Sequence, residues 1–207
     1  MFKLLVKFPS RNRPEKFKSI LNQYVGGCSG KHHVRFVITM DEDDSTMNTN
    51  DIKNFLDSHI DSGVDLIYHY GDSKSKVEAC NANMDNEHAD AILLISDDMT
   101  LKLVNYDDVI YKSFQEIFPD YNGGLKFYDG LRQDALMTLP LIGWKIYEEW
   151  GYIYNPQYTS LYCDTEQTEV LMRTNRFAVS NICLAKHEWT PQPFDELHAR
   201  NENAEMY

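Results

Sequence analysis

Four apolar runs of strand length punctuate the first half of the chain, at residues 2–8, 34–40, 64–70 and 91–96. Each ends in polar or turn-forming residues. Between them lie stretches of helical character. Residues 14–24 open on Pro14, a favoured first-turn residue. Residues 50–60 place Ile52, Phe55, Leu56 and Ile60 on one helical face. Residues 74–86 form a more polar helix candidate. Strand and helix alternating at this spacing predict right-handed βαβ crossovers and a mostly parallel sheet.

Ligands of such sheets bind outside the carboxyl ends of the strands. Those ends carry Pro9-Ser-Arg-Asn-Arg-Pro14, Asp41-Glu-Asp-Asp-Ser-Thr46, Gly71-Asp-Ser-Lys-Ser-Lys76 and Asp97-Asp98. The second half reads differently. Helices are expected over 107–118 and 164–175, and strands over 123–128 and 178–186. Residues 137–162 are rich in aromatics, including Trp144 and Trp150. A polar tail, expected to be loosely ordered, covers 191–207.

The chain has 207 residues, of which 43% are hydrophobic and 25% charged, as expected for one soluble α/β domain. A formal net charge of −12 argues against broad binding to nucleic acid or anionic membrane. It leaves room for an anionic ligand bridged by a divalent cation. Cys28, Cys80, Cys163 and Cys183 form no CxxC pair, which argues against a zinc or redox motif and suits a reducing compartment. The opening segment alternates lysine with apolar residues and stops at Pro9. It is too short and too charged for a signal peptide or a membrane span. A cytoplasmic location is the expectation.

Asp97 and Asp98 at a strand end make a hard oxygen site suited to Mg²⁺ or Mn²⁺, or else a solvated turn. Asp41 could accept hydrogen bonds from a nucleobase or ribose, or could be a turn residue. Arg11 and Arg13 could stack on a base and pair with phosphate, or could cap the next helix. Asp164 and Glu166 precede a helix, where acidic residues are common for dipole reasons. A carboxylate there could instead act as a general base. His187 becomes a metal ligand only if the fold brings it to Asp98. The aromatic segment is core or part of an acceptor cleft.

Taken in order, these elements resemble the GT-A glycosyltransferases, especially their family-2-like group, over about residues 2–190. The resemblance implies a GT-A, Rossmann-like α/β domain with a mostly parallel sheet flanked by helices. Residues 1–100 would hold the nucleotide-sugar donor and residues 101–190 the acceptor and the catalytic group. Val-Lys-Phe-Pro9-Ser-Arg11-Asn-Arg13 looks like the family's first strand and nucleotide loop, and Asp41 like the acid that contacts the base. Lys76 and Asn81 fall on the helix that carries a donor-facing polar residue. Ser96-Asp97-Asp98 resembles the DXD motif, with Ser96 in place of its first acid. Metal binding would then lean on Asp98, with Asp97 facing the ribose. Asp164 falls on the catalytic-base position, His187 on the late histidine of the metal site, and Asp129 in a loop that meets a sugar. Cys163 stands where glutamate is usual.

The implied activity is metal-dependent transfer, with inversion, of a hexosyl or pentosyl group from a nucleotide sugar, a UDP-sugar by family habit. The acceptor stays open: a glycan, a protein, a small molecule or a modified nucleobase. Two rivals remain. Met40-Asp41-Glu-Asp43 with a later Ser-Asp-Asp resembles a haloacid-dehalogenase-type phosphatase, although that motif normally follows the first strand. A GT-A fold could also bind a sugar nucleotide without turning it over.

Overall fold

Alternation along the first strand sets the architecture. In the computed structural model, which describes residues 1–188, Leu4, Val6 and Phe8 of β1 (Lys3–Pro9) join one apolar cluster and Leu5 joins another on the opposite face. Successive strand side chains point to opposite faces, so a strand apolar on both must be covered on both. The first cluster buries Phe17, Ile20, Leu21 and Tyr24 of α1 (Pro14–Gly26) and Ile52 and Leu56 of α2 (Asn50–Asp61). It also takes Tyr106, Ile110 and Phe114 of α4 (Tyr106–Ile117). The second buries Val77 and Cys80 of α3 (Lys76–Asn81), Trp144 and Ile146 of α5 (Trp144–Trp150), and Cys163 and Leu171 of α6 (Cys163–Arg173). The result is a three-layer helix–sheet–helix domain.

The other strands of the central sheet are β2 (His33–Asp41), β3 (Leu66–Gly71), β4 (Ala91–Leu94), β6 (Gly124–Tyr128), β7 (Leu141–Gly143) and β8 (Phe177–Cys183). Their order is β3-β2-β1-β4-β7-β6-β8. β7 runs antiparallel to both neighbours, and the remaining pairs are parallel. From β1 the chain moves outward to β2 and β3 and then returns to the other side of β1 for β4. That reversal opens a crevice at the carboxyl ends of β1 and β4. A separate ribbon pairs β5 (Met99–Leu101) with β9 (Ala185–His187).

The expected strands and helices lie where their periodicity places them, with two changes. The polar helix expected over 74–86 spans only Lys76–Asn81, because Ala82 turns extended and Asn83 is left-handed. The strand expected over 178–186 is two strands, broken around the buried Leu184. β5, β7 and α5 carried no periodic signal. The polar tail expected over 191–207 lies outside the described residues, as do the last two residues of the domain expected over 1–190. No described helix is long and apolar enough to cross a membrane.

Lys7 departs from the apolar pattern of β1. Its ammonium is fully buried on the α3 face, where it donates to the Thr39 hydroxyl and, at 2.7 Å, to the Ala82 carbonyl. Burial lowers its pKa to about 8, against the pull of Cys80 and Glu87. The folded protein therefore releases this proton before the unfolded chain does, and the lysine contributes a rise in stability from about pH 8 upward. Buried thiols act oppositely in the same range, with Cys80 pushed up to about 11 and Cys163 to about 12. Comparison with Lys7→Met isolates the lysine. The wild type should gain on the order of 3 kcal/mol on the variant between pH 7.5 and 10.5, by urea unfolding. A constant difference across that range would contradict the assignment.

Candidate active site

The carboxyl ends of β1, β2 and β4 open into one cavity of about 450 Å³, a size typical of small-ligand sites. Pro9 ends β1, and Asn12 takes a left-handed conformation that turns the chain into α1. The Asn12 amide is held by Asp44 at 2.7 Å. This turn carries Arg11 and Arg13 back over the strand ends. Arg11 donates to Asp41 at 2.7 Å and to Asp43 at 2.5 and 3.1 Å. Asp41, nearly buried at the end of β2, also accepts the Ser73 amide at 3.3 Å. Asp44 is the structural acid of this cluster, accepting from the Thr46 amide and hydroxyl.

The acids after β4 differ in environment. Asp97 accepts Arg13 at 2.6 Å and the Ser10 hydroxyl at 3.1 Å. Burial pushes its carboxyl above the usual range in spite of both, with Asp98 adding to the effect. For Asp98 burial also opposes ionisation. The nearby His187, the Ser96 hydroxyl and Arg13 together outweigh it and hold Asp98 well below the usual carboxylate range. Ser96, where the DXD pattern has an acid, thus orients Asp98 by a hydrogen bond.

His187 reaches this group through the β5–β9 ribbon, in which Met99 pairs with His187 and the Glu188 amide donates to the Asp98 carbonyl at 2.8 Å. Its Nε2 stands 3.6 Å from an Asp98 oxygen. Its Nδ1 is buried with no hydrogen-bond partner among the described residues.

The far wall comes from the second half of the chain. Asp164, in the first turn of α6, lines the same cavity. Glu166 is turned away and accepts from Asn155 at 3.2 Å. Lys76 projects into the cavity with its ammonium 6.0 Å from the Tyr154 ring centre. Burial opposes its charge, while the Cys163 and Cys80 thiols, Asp164 and Asp98 favour it and leave its pKa raised.

One cavity therefore gathers Pro9, Arg11, Arg13, Asp41, Lys76, Asp97, Asp98, Asp164 and His187. Two candidates stand apart from it. The Asn81 amide bonds the backbone of Ile153 and Tyr154 at 2.6–3.0 Å and so fixes the aromatic segment against α3. Asp129 accepts two loop amides and the Thr138 hydroxyl at 2.7–2.9 Å, which shapes the loop before β7. Both polar groups are satisfied by the fold itself. The sequence reading passed over Ser10, Thr138, Pro140, Thr159 and Ser160, which also line the cavity. Ser10 lay within the strand-end segment; the others had no local signal.

No protein-family model matches the chain, and no curated protein sequence matches it. Solved structures do. A mannosyltransferase of Pyrobaculum calidifontis, PcManGT, in complex with GDP-Man and Mn²⁺, superposes with a TM-score of 0.72 at 11% identity, over 97% of this chain and 61% of that one. TarS of S. aureus (residues 1–349) gives 0.67 at 12%, over 89% and 60%. Glucosyl-3-phosphoglycerate synthase of Mycobacterium tuberculosis, with Mn²⁺, UDP and glucosyl-3-phosphoglycerate, gives 0.60 at 12%, over 98% and 77%. The chain thus spans about three fifths of the length of the first two. At such identities the likeness speaks for architecture, and in architecture this chain is a GT-A fold, that of the glycosyltransferases it superposes on.

Proposed function

We propose that this chain transfers a hexosyl or pentosyl group from a nucleotide-sugar donor, a UDP-sugar in the first instance, to an acceptor hydroxyl with inversion. One observation carries the reading. A single cavity holds an Asp–Arg pair at the ends of β1 and β2, an Asp–Asp–His group after β4 and a separate carboxylate on α6. The likeness to PcManGT bound to GDP-Man and Mn²⁺ supports it.

Arg11 and Asp41, which line one wall, would frame the nucleoside as a donor and an acceptor. The residues also fit a divalent cation. Asp98 offers an ionised hard oxygen and His187 an imidazole nitrogen 3.6 Å away, a donor set suited to Mn²⁺ or Mg²⁺. Among the described residues no group of three or more His, Cys, Asp or Glu could hold a metal by itself. The donor diphosphate and water would have to supply the remaining ligands, so cation and donor should bind together. When bound, the cation would supply positive charge to the departing diphosphate. Arg13 holds Asp97 in place, Asp164 takes the proton of the acceptor hydroxyl, and the walls built by Tyr154 and Pro140 limit access of water.

The phosphatase reading finds less support, because Asp41 closes the second strand and is clasped together with Asp43 by a single arginine. Activity with Mn²⁺ separates the readings. A transferase releases nucleoside diphosphate slowly from a nucleotide sugar even with water as acceptor. A phosphatase prefers phosphomonoesters, and a binding module does neither. A bound donor at 100 times its Kd should stabilise the fold by about 2.7 kcal/mol. Asp41→Ala is expected to weaken nucleotide binding by about 1–3 kcal/mol in calorimetric titration, the cost of leaving a polar partner unpaired. Unchanged affinity would remove Asp41 from the base-binding wall.

A further inference from the structure

Among the described residues, six other than glycine take a left-handed backbone, and four of them are asparagines: Asn12, Asn83, Asn105 and Asn175. Asparagine tolerates that region, whereas bulky side chains rarely enter it. The other two are Tyr121 (φ 56°) and Tyr162 (φ 62°). At Tyr121 packing compensates for the strain. Its ring stacks on Phe2 at 5.7 Å and meets Phe114 at 5.4 Å, and its hydroxyl accepts from Gln115 at 3.0 Å.

Tyr162 has no such support. Its side chain is 67% exposed, makes no ring contact or side-chain hydrogen bond with the described residues, and does not cap α6 although it occupies the capping position. Strain that serves no packing is typical of a binding or catalytic position. The place fits. Leu161, the residue before, and Asp164, two residues on, both line the cavity. Tyr162 is not itself among the lining residues; its exposed ring stands just outside the cavity, flanked in the chain by lining residues that include the carboxylate assigned to deprotonate the acceptor.

We propose that Tyr162 is the acceptor platform of this site, and that the acceptor is a carbohydrate whose ring stacks on it while one hydroxyl reaches Asp164. The apolar C–H face of a sugar ring matches an aromatic face, and its hydroxyls match the polar rim. A polynucleotide acceptor would bring phosphates to a protein of net charge −12. The proposal rests on the transferase reading above.

The test is release of nucleoside diphosphate from UDP-glucose, UDP-N-acetylglucosamine or GDP-mannose with Mn²⁺. It is measured with water alone and with methyl hexosides and disaccharides as acceptor probes. At least one sugar probe should accelerate release by the wild type. Tyr162→Ala should raise the half-saturating concentration of that probe about tenfold and leave the water rate unchanged, whereas Tyr162→Phe should stay within about twofold of wild type. Tyr162→Asn, relaxed in this conformation, should lose the probe as alanine does and raise Tm by about 2–4 °C. An unchanged probe response in Tyr162→Ala, or a lower Tm in Tyr162→Asn, overturns the platform. Acceleration by an oligonucleotide alone, or by no probe although water turns the donor over, overturns the carbohydrate assignment. No donor binding and no release at all would strike the transferase reading itself.

Discussion

Asp98→Ala is expected to abolish metal-dependent donor turnover. Asp98 is the acid of the pair that stays ionised, through His187, Ser96 and Arg13, and it stands 3.6 Å from the His187 imidazole. Removing its carboxylate leaves Asp97, which burial pushes toward the neutral form and which Arg13 already engages. A lone imidazole cannot then hold a hard cation against water. Donor affinity should fall to the level that the wild type shows in EDTA, and Mn²⁺ should no longer raise it. Rates should drop by about 10³-fold or more, as when the charge stabilising a leaving group is lost. Thermal stability without metal should fall, because the contacts that keep Asp98 ionised outweigh its burial and Arg13 and His187 each lose a partner. Titration calorimetry of the donor with and without Mn²⁺ reads the linkage directly. Equal donor affinity in the variant and the wild type under both conditions would rule out Asp98 as a ligand.

Asp164→Asn should leave donor and metal binding close to wild type while lowering transfer by about 10²–10⁴-fold, the usual contribution of a general base. The substitution keeps the shape of the side chain and removes its ability to take a proton. The two functions separate because Asp164 belongs to α6, whereas Asp98 follows β4 and His187 ends β9. Glu166 provides the control. It lies on another face of the helix, bonded to Asn155 and outside the cavity lining, so Glu166→Gln should retain transfer. If Asp164→Asn stays fully active and Glu166→Gln does not, the base is Glu166. Product with the anomeric configuration of the donor would dispose of the inverting mechanism altogether.

The first half was legible in the sequence because its inner strands are buried on both faces and separated by helices with apolar stripes. β2 buries six consecutive residues up to Asp41, and such runs announce a parallel sheet without tertiary information. The second half resisted for equally physical reasons. β7 is three residues between Pro140 and the first turn of α5, too short for a period to show, and its antiparallel direction is set by its neighbours β4 and β6. β5 and β9 form only through each other. The side chains that line the cavity were recognisable at strand ends, where chain direction alone aims them. Asn81 and Asp129 lie outside the cavity lining, which sequence does not foretell, because a polar residue near a site looks the same whether it faces a ligand or ties a loop. Only the backbone amides and carbonyls around them, placed by the fold, tell the two apart.

Two strand seams join the halves of this molecule, the three residue pairs between β4 and β7 and the three of the β5–β9 ribbon, beside the helix packing of both core clusters and the Asn81 bonds to Ile153 and Tyr154. The ribbon closes a loop of roughly ninety residues, and the entropy of that closure depends only weakly on its length. Asp164 lies in the chain between β7 and β9, on a helix packed into the second cluster, while Asp98 and His187 face each other across the ribbon. A ligand gripping both of those residues would act as a reversible clasp on the ribbon. Holding the donor and holding the ribbon closed would then be one mechanical event.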